Sequence, residues 1–264
     1  LPDNYFRGLT FLLSNEPDKA IDAFIEVARV DPETAELHHA LGNLFCRRGE
    51  FERAIRIHTH LISRADLDEA DRLRALSELA LDYLKAGIYD KAIECYEKLS
   101  ESREYHLEAL RSLLKIRCTE HDWPEAIETA KKLEAEASES HAADISHFHC
   151  ELAEEAARRR NSAEASREIA EALKAYPRAP RALMLKGDLL LQEGRVKDAV
   201  EAWNEIRRHS PEHYPLVIER LVKGYESMKD RNEAEAVLQE ALERFPSTKV
   251  VDLAMNCELA WRGE

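Results

Sequence analysis

At 264 residues the chain has room for one large domain or two small ones, and its composition, 34% charged and 44% apolar, is too apolar for a disordered chain and too charged for one compact core. Ala, Leu and Glu dominate while Val and Thr are sparse, which favours amphipathic helices over strands. A net charge of −14 repels phosphates, so nothing electrostatic draws the chain to nucleic acid or an anionic membrane face, and no run of ~18 apolar residues is present to span a bilayer.

The first helix pair is expected over 6–24, with Gly8 on one helix, Asn15 in the turn, Pro17 opening the second helix, Ala20 and Phe24 on it, and Pro32 ending it. The pattern returns after 34 residues as Gly42 and Ala54, with Phe45 and the turn residue Gly49. A third pair carries Ala80, Tyr83, Gly87, Ala92 and Tyr96, and a fourth Leu114, Pro124 and Ala126. The fifth has Ala153, Asn161, Ala165 and Pro177, and the sixth Gly187, Gly194, Ala199, Trp203 and Pro211. The seventh has Val222, Tyr225, Asn232, Ala234 and Pro246. From Ala20 to Ala234 the second small residue recurs at spacings of 34, 38, 34, 39, 34 and 35, so insertions are expected near 64–70 and 136–142, as loops or lengthened helices. After Pro246, Val250, Val251, Leu253, Ala254, Cys257 and Trp261 predict one more amphipathic helix.

A small side chain on the first helix facing a small one on the second lets the two approach, while bulky residues fill the flanks. This spacing resembles the tetratricopeptide repeat. The predicted fold is all-α: a right-handed tetratricopeptide-repeat solenoid of about seven helix-turn-helix repeats (1–248), then a capping helix or the first helix of a truncated eighth repeat (249–264). Leu114, where a small residue belongs, predicts a wider pair in repeat four.

Catalytic motifs are absent from the sequence: it contains no GxSxG, HExxH, Gly-rich phosphate loop or calcium loop, and the expectation is no enzyme. The five cysteines are odd in number and form no CxxC pair, so buried thiols in a reducing compartment are expected. His147, His149 and Cys150 invite a metal reading, as do His38 and His39 before Cys46. Metal sites need three or four convergent ligands, and packing histidines and surface donors are the expectation, with no metal site.

In such solenoids the first helix of each repeat lines an inner groove. That places Tyr5 and Leu9 there from repeat one, His39, Asn43, Cys46 and Arg47 from repeat two, and Arg74, Leu81 and Lys85 from repeat three. Arg111 and Lys115 follow from repeat four, and His147, Glu154 and Arg158 from repeat five. Asp188 comes from repeat six and Glu219 and Lys223 from repeat seven. The middle of the groove is thus expected to carry positive charge suited to carboxylates or an acidic peptide, the bland alternative being a solvated mixed-charge face. Chaperone-binding repeats use a Lys and Asn clamp; Asn43 fits it but His39 stands in place of the Lys, which disfavours chaperone C-termini.

The wording between the anchors, FLLSNEPDKAIDAF (11–24), LGNLFCRRGEFERAIRIH (41–58), ALDYLKAGIYDKAIECYEKL (80–99) and SHFHCELA (146–153), resembles the lipopolysaccharide assembly protein B (LapB/YciM) family of Gram-negative bacteria, most strongly over 8–160. The resemblance implies an N-terminal membrane helix, a cytoplasmic repeat domain and a C-terminal rubredoxin-like knuckle whose two CxxC pairs hold iron or zinc. It also implies a non-enzymatic adaptor at the inner membrane that brings the LpxC deacetylase to degradation by the FtsH protease, answers to an inner-membrane regulator and contacts lipopolysaccharide assembly proteins. Neither the helix nor the knuckle occurs in this sequence and Leu1 is no natural start, so the expectation is a soluble excerpt without cofactor, reaching a membrane only through the absent helix. Two other roles stay open: a repeat-built assembly factor for a pilus or secretin, and the regulatory arm of a larger enzyme.

Overall fold

The computed structural model describes residues 6–8, 10, 11, 14, 16, 19, 20, 23 and 35–262. The expectations at Asn15, Pro17, Phe24 and Pro32 of repeat one, and at Tyr5 and Leu9 on its inner face, lie outside the described residues. Among those described the chain is all-α, and its helices follow the repeat anchors pair by pair.

Repeat two is α1 (Ala35–Arg47) and α2 (Phe51–Ser63), repeat three α3 (Glu69–Lys85) and α4 (Tyr89–Leu99), and repeat four α5 (His106–Glu120) and α6 (Trp123–Glu136). Repeat five is α7 (Ala142–Arg158) and α8 (Ser162–Ala175), and repeat six α9 (Pro180–Gln192) and α10 (Val196–His209). A 3₁₀ segment (Pro211–Leu216) leads into repeat seven, α11 (Ile218–Ser227) and α12 (Arg231–Arg244), and α13 (Thr248–Arg262) closes the chain. Two compact units result, Leu1–Asp122 and Trp123–Glu264, with the division inside repeat four, the repeat that carries Leu114.

Within each unit consecutive helices pack in sequence, and first helices also touch across repeats, α1 with α3 and α7 with α9. The small anchors are the reason. Ala54, Ala80, Ala92, Ala126, Ala199 and Ala234 are fully buried, and the glycines lie against the largest partners, Gly42 under His58 and Gly187 under Trp203. Both insertions are accommodated the same way, by a short loop followed by a long first helix: α3 and α7 each run 17 residues. Asp68 caps α3, its carboxylate accepting from the Asp71 N–H at 2.8 Å.

The final helix docks by Val250, Cys257 and the half-buried Leu253, Ala254 and Trp261. Trp261 Nε1 donates to Glu226 Oε1 at 3.0 Å, and the Arg231 guanidinium covers the ring at 4.9 Å from its centroid. Tyr214 in the 3₁₀ segment is fully buried against Phe245, a core residue outside the repeat pattern.

The turns correct one expectation. Gly49, Gly87 and Gly194 have positive φ (73° to 78°), but in repeats four, five and seven the equivalent residues are His121, Arg160 and Lys229, at 58° to 59°. Asn161 instead caps α8, accepting from the Glu164 N–H at 3.2 Å, and Asn232 lies inside α12, which Asp230 caps. An L-residue held in the left-handed region costs roughly 1 kcal/mol or more over Gly. Arg160→Gly and Lys229→Gly are therefore each expected to raise unfolding free energy by about 0.5–1 kcal/mol in urea melts. A loss of stability in either variant would show that the side chain contributes more than its backbone strain costs.

Candidate functional site

Five of the side chains expected to bind a partner are cations exposed on the first helices of unit 1. Arg47 and Lys85 end α1 and α3, and Arg111 and Lys115 lie one turn apart on α5; all four are exposed. Arg74 is exposed on α3 with Nε 3.5 Å from Glu78 Oε1.

Beneath these cations lies a buried polar network that the sequence reading did not anticipate. His58 of α2 and Asp82 of α3 are both fully buried, with His58 Nδ1 bonded to Asp82 Oδ2 at 2.6 Å. His58 Nε2 also lies 3.2 Å from Glu78 Oε2, near enough for ion pairing though not aligned as a hydrogen bond. Glu78 receives the Asn43 amide at 2.8 Å and is bonded to His39 Nδ1. Burial alone would lower the His58 pKa, but its bond to Asp82 and then the nearby Glu78 carboxylate outweigh that and lift it to about 9. Burial pushes the Glu78 carboxyl up, and His39, His58 and Asn43 more than offset this, holding it at about 2. The network locks α1, α2 and α3 together.

This overturns part of the groove expectation. His39, read as a surface donor, is 1% exposed and spent on Glu78; Asn43 is half-buried with its amide committed to the same carboxylate. Cys46, also expected on the groove, is buried, and burial raises its thiol to about 11. Successive residues on a helix stand about 100° apart, so one short stretch of α1 carries both exposed and seam-facing side chains.

In unit 2 the same seam is stapled by arginines. Arg181 of α9 donates to Glu151 at 2.7 Å and Glu154 at 2.7 Å on α7, and its Nη1 stands 3.0 Å from His147 Nδ1. Arg220 of α11 forms a two-pronged pair with Asp188 of α9, at 2.7 and 3.0 Å. His147 is therefore exposed but engaged, while Arg158 is exposed at the end of α7. Glu219 and Lys223 pair with each other on α11. His149 is half-buried and reaches Glu168 of α8 at 2.9 Å, and Cys150 is buried with its thiol raised to about 11 by desolvation. Among the described residues no three His, Cys, Asp or Glu side chains converge as metal ligands. None of the helices among those residues is long and apolar enough to cross a membrane.

Models of the tetratricopeptide repeat match residues 37–73 and 150–213. Lipopolysaccharide assembly protein B of Escherichia coli (strain K12) is 33% identical over 243 residues, covering 92% of this chain and 62% of that protein. This chain is a tetratricopeptide-repeat homologue of lipopolysaccharide assembly protein B. The protein of that name from Haemophilus influenzae is 28% identical, with 90% of this chain and 62% of that one covered. The chain thus spans less than two thirds of the length of these curated relatives. In fold it is similar to the crystal structure of the C-terminal part of a TPR repeat-containing protein from Cytophaga hutchinsonii, at 14% identity and a TM-score of 0.51 over 94% of this chain and 98% of that one.

Proposed function

We propose that this chain is a non-enzymatic adaptor in lipopolysaccharide assembly, and that it brings the LpxC deacetylase to the FtsH protease at the inner membrane. The kinship with lipopolysaccharide assembly protein B supports the pathway, and the repeat architecture supports holding a partner as the mode of action. The carrying observation is the set of exposed cations on the first-helix face of unit 1, Arg47, Arg74, Lys85, Arg111 and Lys115, on a chain of net charge −14. The buried network supports the α1 and α3 members of that set: His39, His58, Glu78 and Asp82 hold these two helices in fixed register, so their cations form a pre-ordered surface for an acidic segment.

The test is a double charge reversal, Arg47→Glu with Lys115→Glu, and quantitative pull-down of LpxC and of FtsH. Binding of at least one of them is expected to weaken on the order of tenfold, and more at low salt than at high. Unchanged binding of both would remove this face from the proposal.

A further inference from the structure

In unit 2 a cleft of about 590 Å³ runs between the second helices of repeats five and six, α8 and α10, with α9 as its floor. Its floor and one wall are mainly apolar, Ile169, Ala170 and Leu173 on α8 and Leu183, Leu189 and Leu190 on α9, with Ser166 and Lys186 as the polar exceptions. Small side chains stand on both walls, Ala170 on one and Ala202 on the other.

The two walls differ in charge. Along α8 the lining is Ser166, Ile169, Ala170 and Leu173, with no charge among them. Along α10 it presents Asp198, Glu201 and Glu205 in a row, and Glu193 continues the acidic edge from the turn after α9. Arg195 answers Asp198 and Glu193, and Arg208 answers Glu201 and Glu205, in exposed pairs that contribute little and exchange readily for other partners. Counting the lining alone, four carboxylates face Lys186 and Arg195, a net charge of 2 − 4 = −2.

We infer that this cleft docks an amphipathic helix of a partner protein, with large apolar side chains against α8 and α9 and lysines or arginines along α10. An apolar floor beside a one-sided acidic wall selects both the face and the orientation of such a helix. An acidic helix would be repelled by the α10 carboxylates, and a purely apolar one would desolvate their ion pairs with Arg195 and Arg208 without adding a partner. This second-helix surface does not depend on the reading of the unit 1 face, and variants in one leave the other intact.

The probe is a fluorescein-labelled 16-residue helical peptide of Leu and Lys, about four turns, titrated against the full chain by anisotropy, with a Leu and Glu counterpart. The Leu and Lys peptide is expected to bind at least tenfold more tightly, on the order of the charge effects seen at protein interfaces. Ala170→Arg, at an exposed position that folding tolerates, and Glu201→Lys with Glu205→Lys should each weaken it by a similar factor. A distant reversal of equal charge, Glu235→Lys with Glu258→Lys on α12 and α13, should leave it unchanged. Equal binding of both peptides overturns the proposal. So does equal loss in the cleft and distant reversals, since attraction would then be diffuse.

Discussion

Gly187→Ala is expected to destabilise unit 2 by about 2 kcal/mol, although alanine is the better helix former by roughly 1 kcal/mol. The reason is what lies above it. A Cβ on Gly187 would stand 2.6 Å from both Cδ1 and Cε2 of Trp203, far inside contact distance, and closer still to Nε1. The indole has little room to withdraw. It is fully buried, its Nε1 points at the Met184 carbonyl 3.4 Å away, and on its other side a Cβ on Gly224 would already be 3.5 Å from Cζ3. Trp203 is thus wedged between α9 and α11, with a glycine on each side. Trp203→Leu alone should cost several kcal/mol through the cavity it leaves, by the usual scale of large-to-small changes in a core. Combined with Gly187→Ala, however, the clash disappears and the two costs should be sub-additive by about 1–3 kcal/mol. Urea melts of both single variants and the double measure that coupling. Strict additivity would mean that the indole and Gly187 do not meet.

That pair also shows why the helices were legible from the sequence. A backbone approach this close favours the smallest side chains, so Gly187, Ala199 and most of their counterparts are small and stand twelve residues apart, Leu114 and Val222 excepted. The turns were less legible. Gly49, Gly87 and Gly194 announce a left-handed residue, but His121, Arg160 and Lys229 adopt the same conformation without announcing it. Nearby asparagines drew attention one residue late at Asn161 and three late at Asn232, where they serve as a cap and a helix residue. Tyr214 was invisible because its core position lies in a 3₁₀ linker that no repeat pattern covers.

The candidate site was legible only as a face. Helical spacing puts Arg47, Arg74, Lys85, Arg111 and Lys115 at exposed positions, where long charged side chains keep their heads in water. It fails for His39 and Asn43 and is silent on Glu78, Asp82, Arg181 and Arg220; the partners of all six come from the neighbouring repeat, some 24 to 39 residues away in sequence. One signal was available. The position filled by Phe24, Tyr96 and Trp203 in other repeats is His58 in repeat two, and a buried histidine needs an acceptor for its N–H, here the Asp82 carboxylate.

The stability of unit 1 should therefore depend on pH in a way set by His58. Its folded pKa of about 9 lies above its ordinary 6.5. The stabilisation is then fully present below pH 6.5 and is lost as pH rises through 9, with a ceiling of about 3 kcal/mol. Glu78 acts with the opposite sign: held at about 2 against 4.5, it stabilises above pH 4.5 and stops doing so as pH falls toward 2. Unit 1 is expected to be most stable between these limits, and urea melts at a series of pH values should show the plateau. Asp82→Asn should cost about 3–5 kcal/mol at pH 6.5, because it leaves the buried imidazolium without its main counter-charge. His58→Phe alone should cost a similar amount by stranding Asp82. The double variant His58→Phe with Asp82→Leu tests the network itself, since it restores the aromatic side chain that other repeats place there and removes both buried charges. It should regain most of the loss and be flat between pH 6.5 and 9, because a well-packed apolar pair can replace a buried ion pair at little cost. If the double variant lost stability over that interval as steeply as the parent, the titrating group would have to be some residue other than His58.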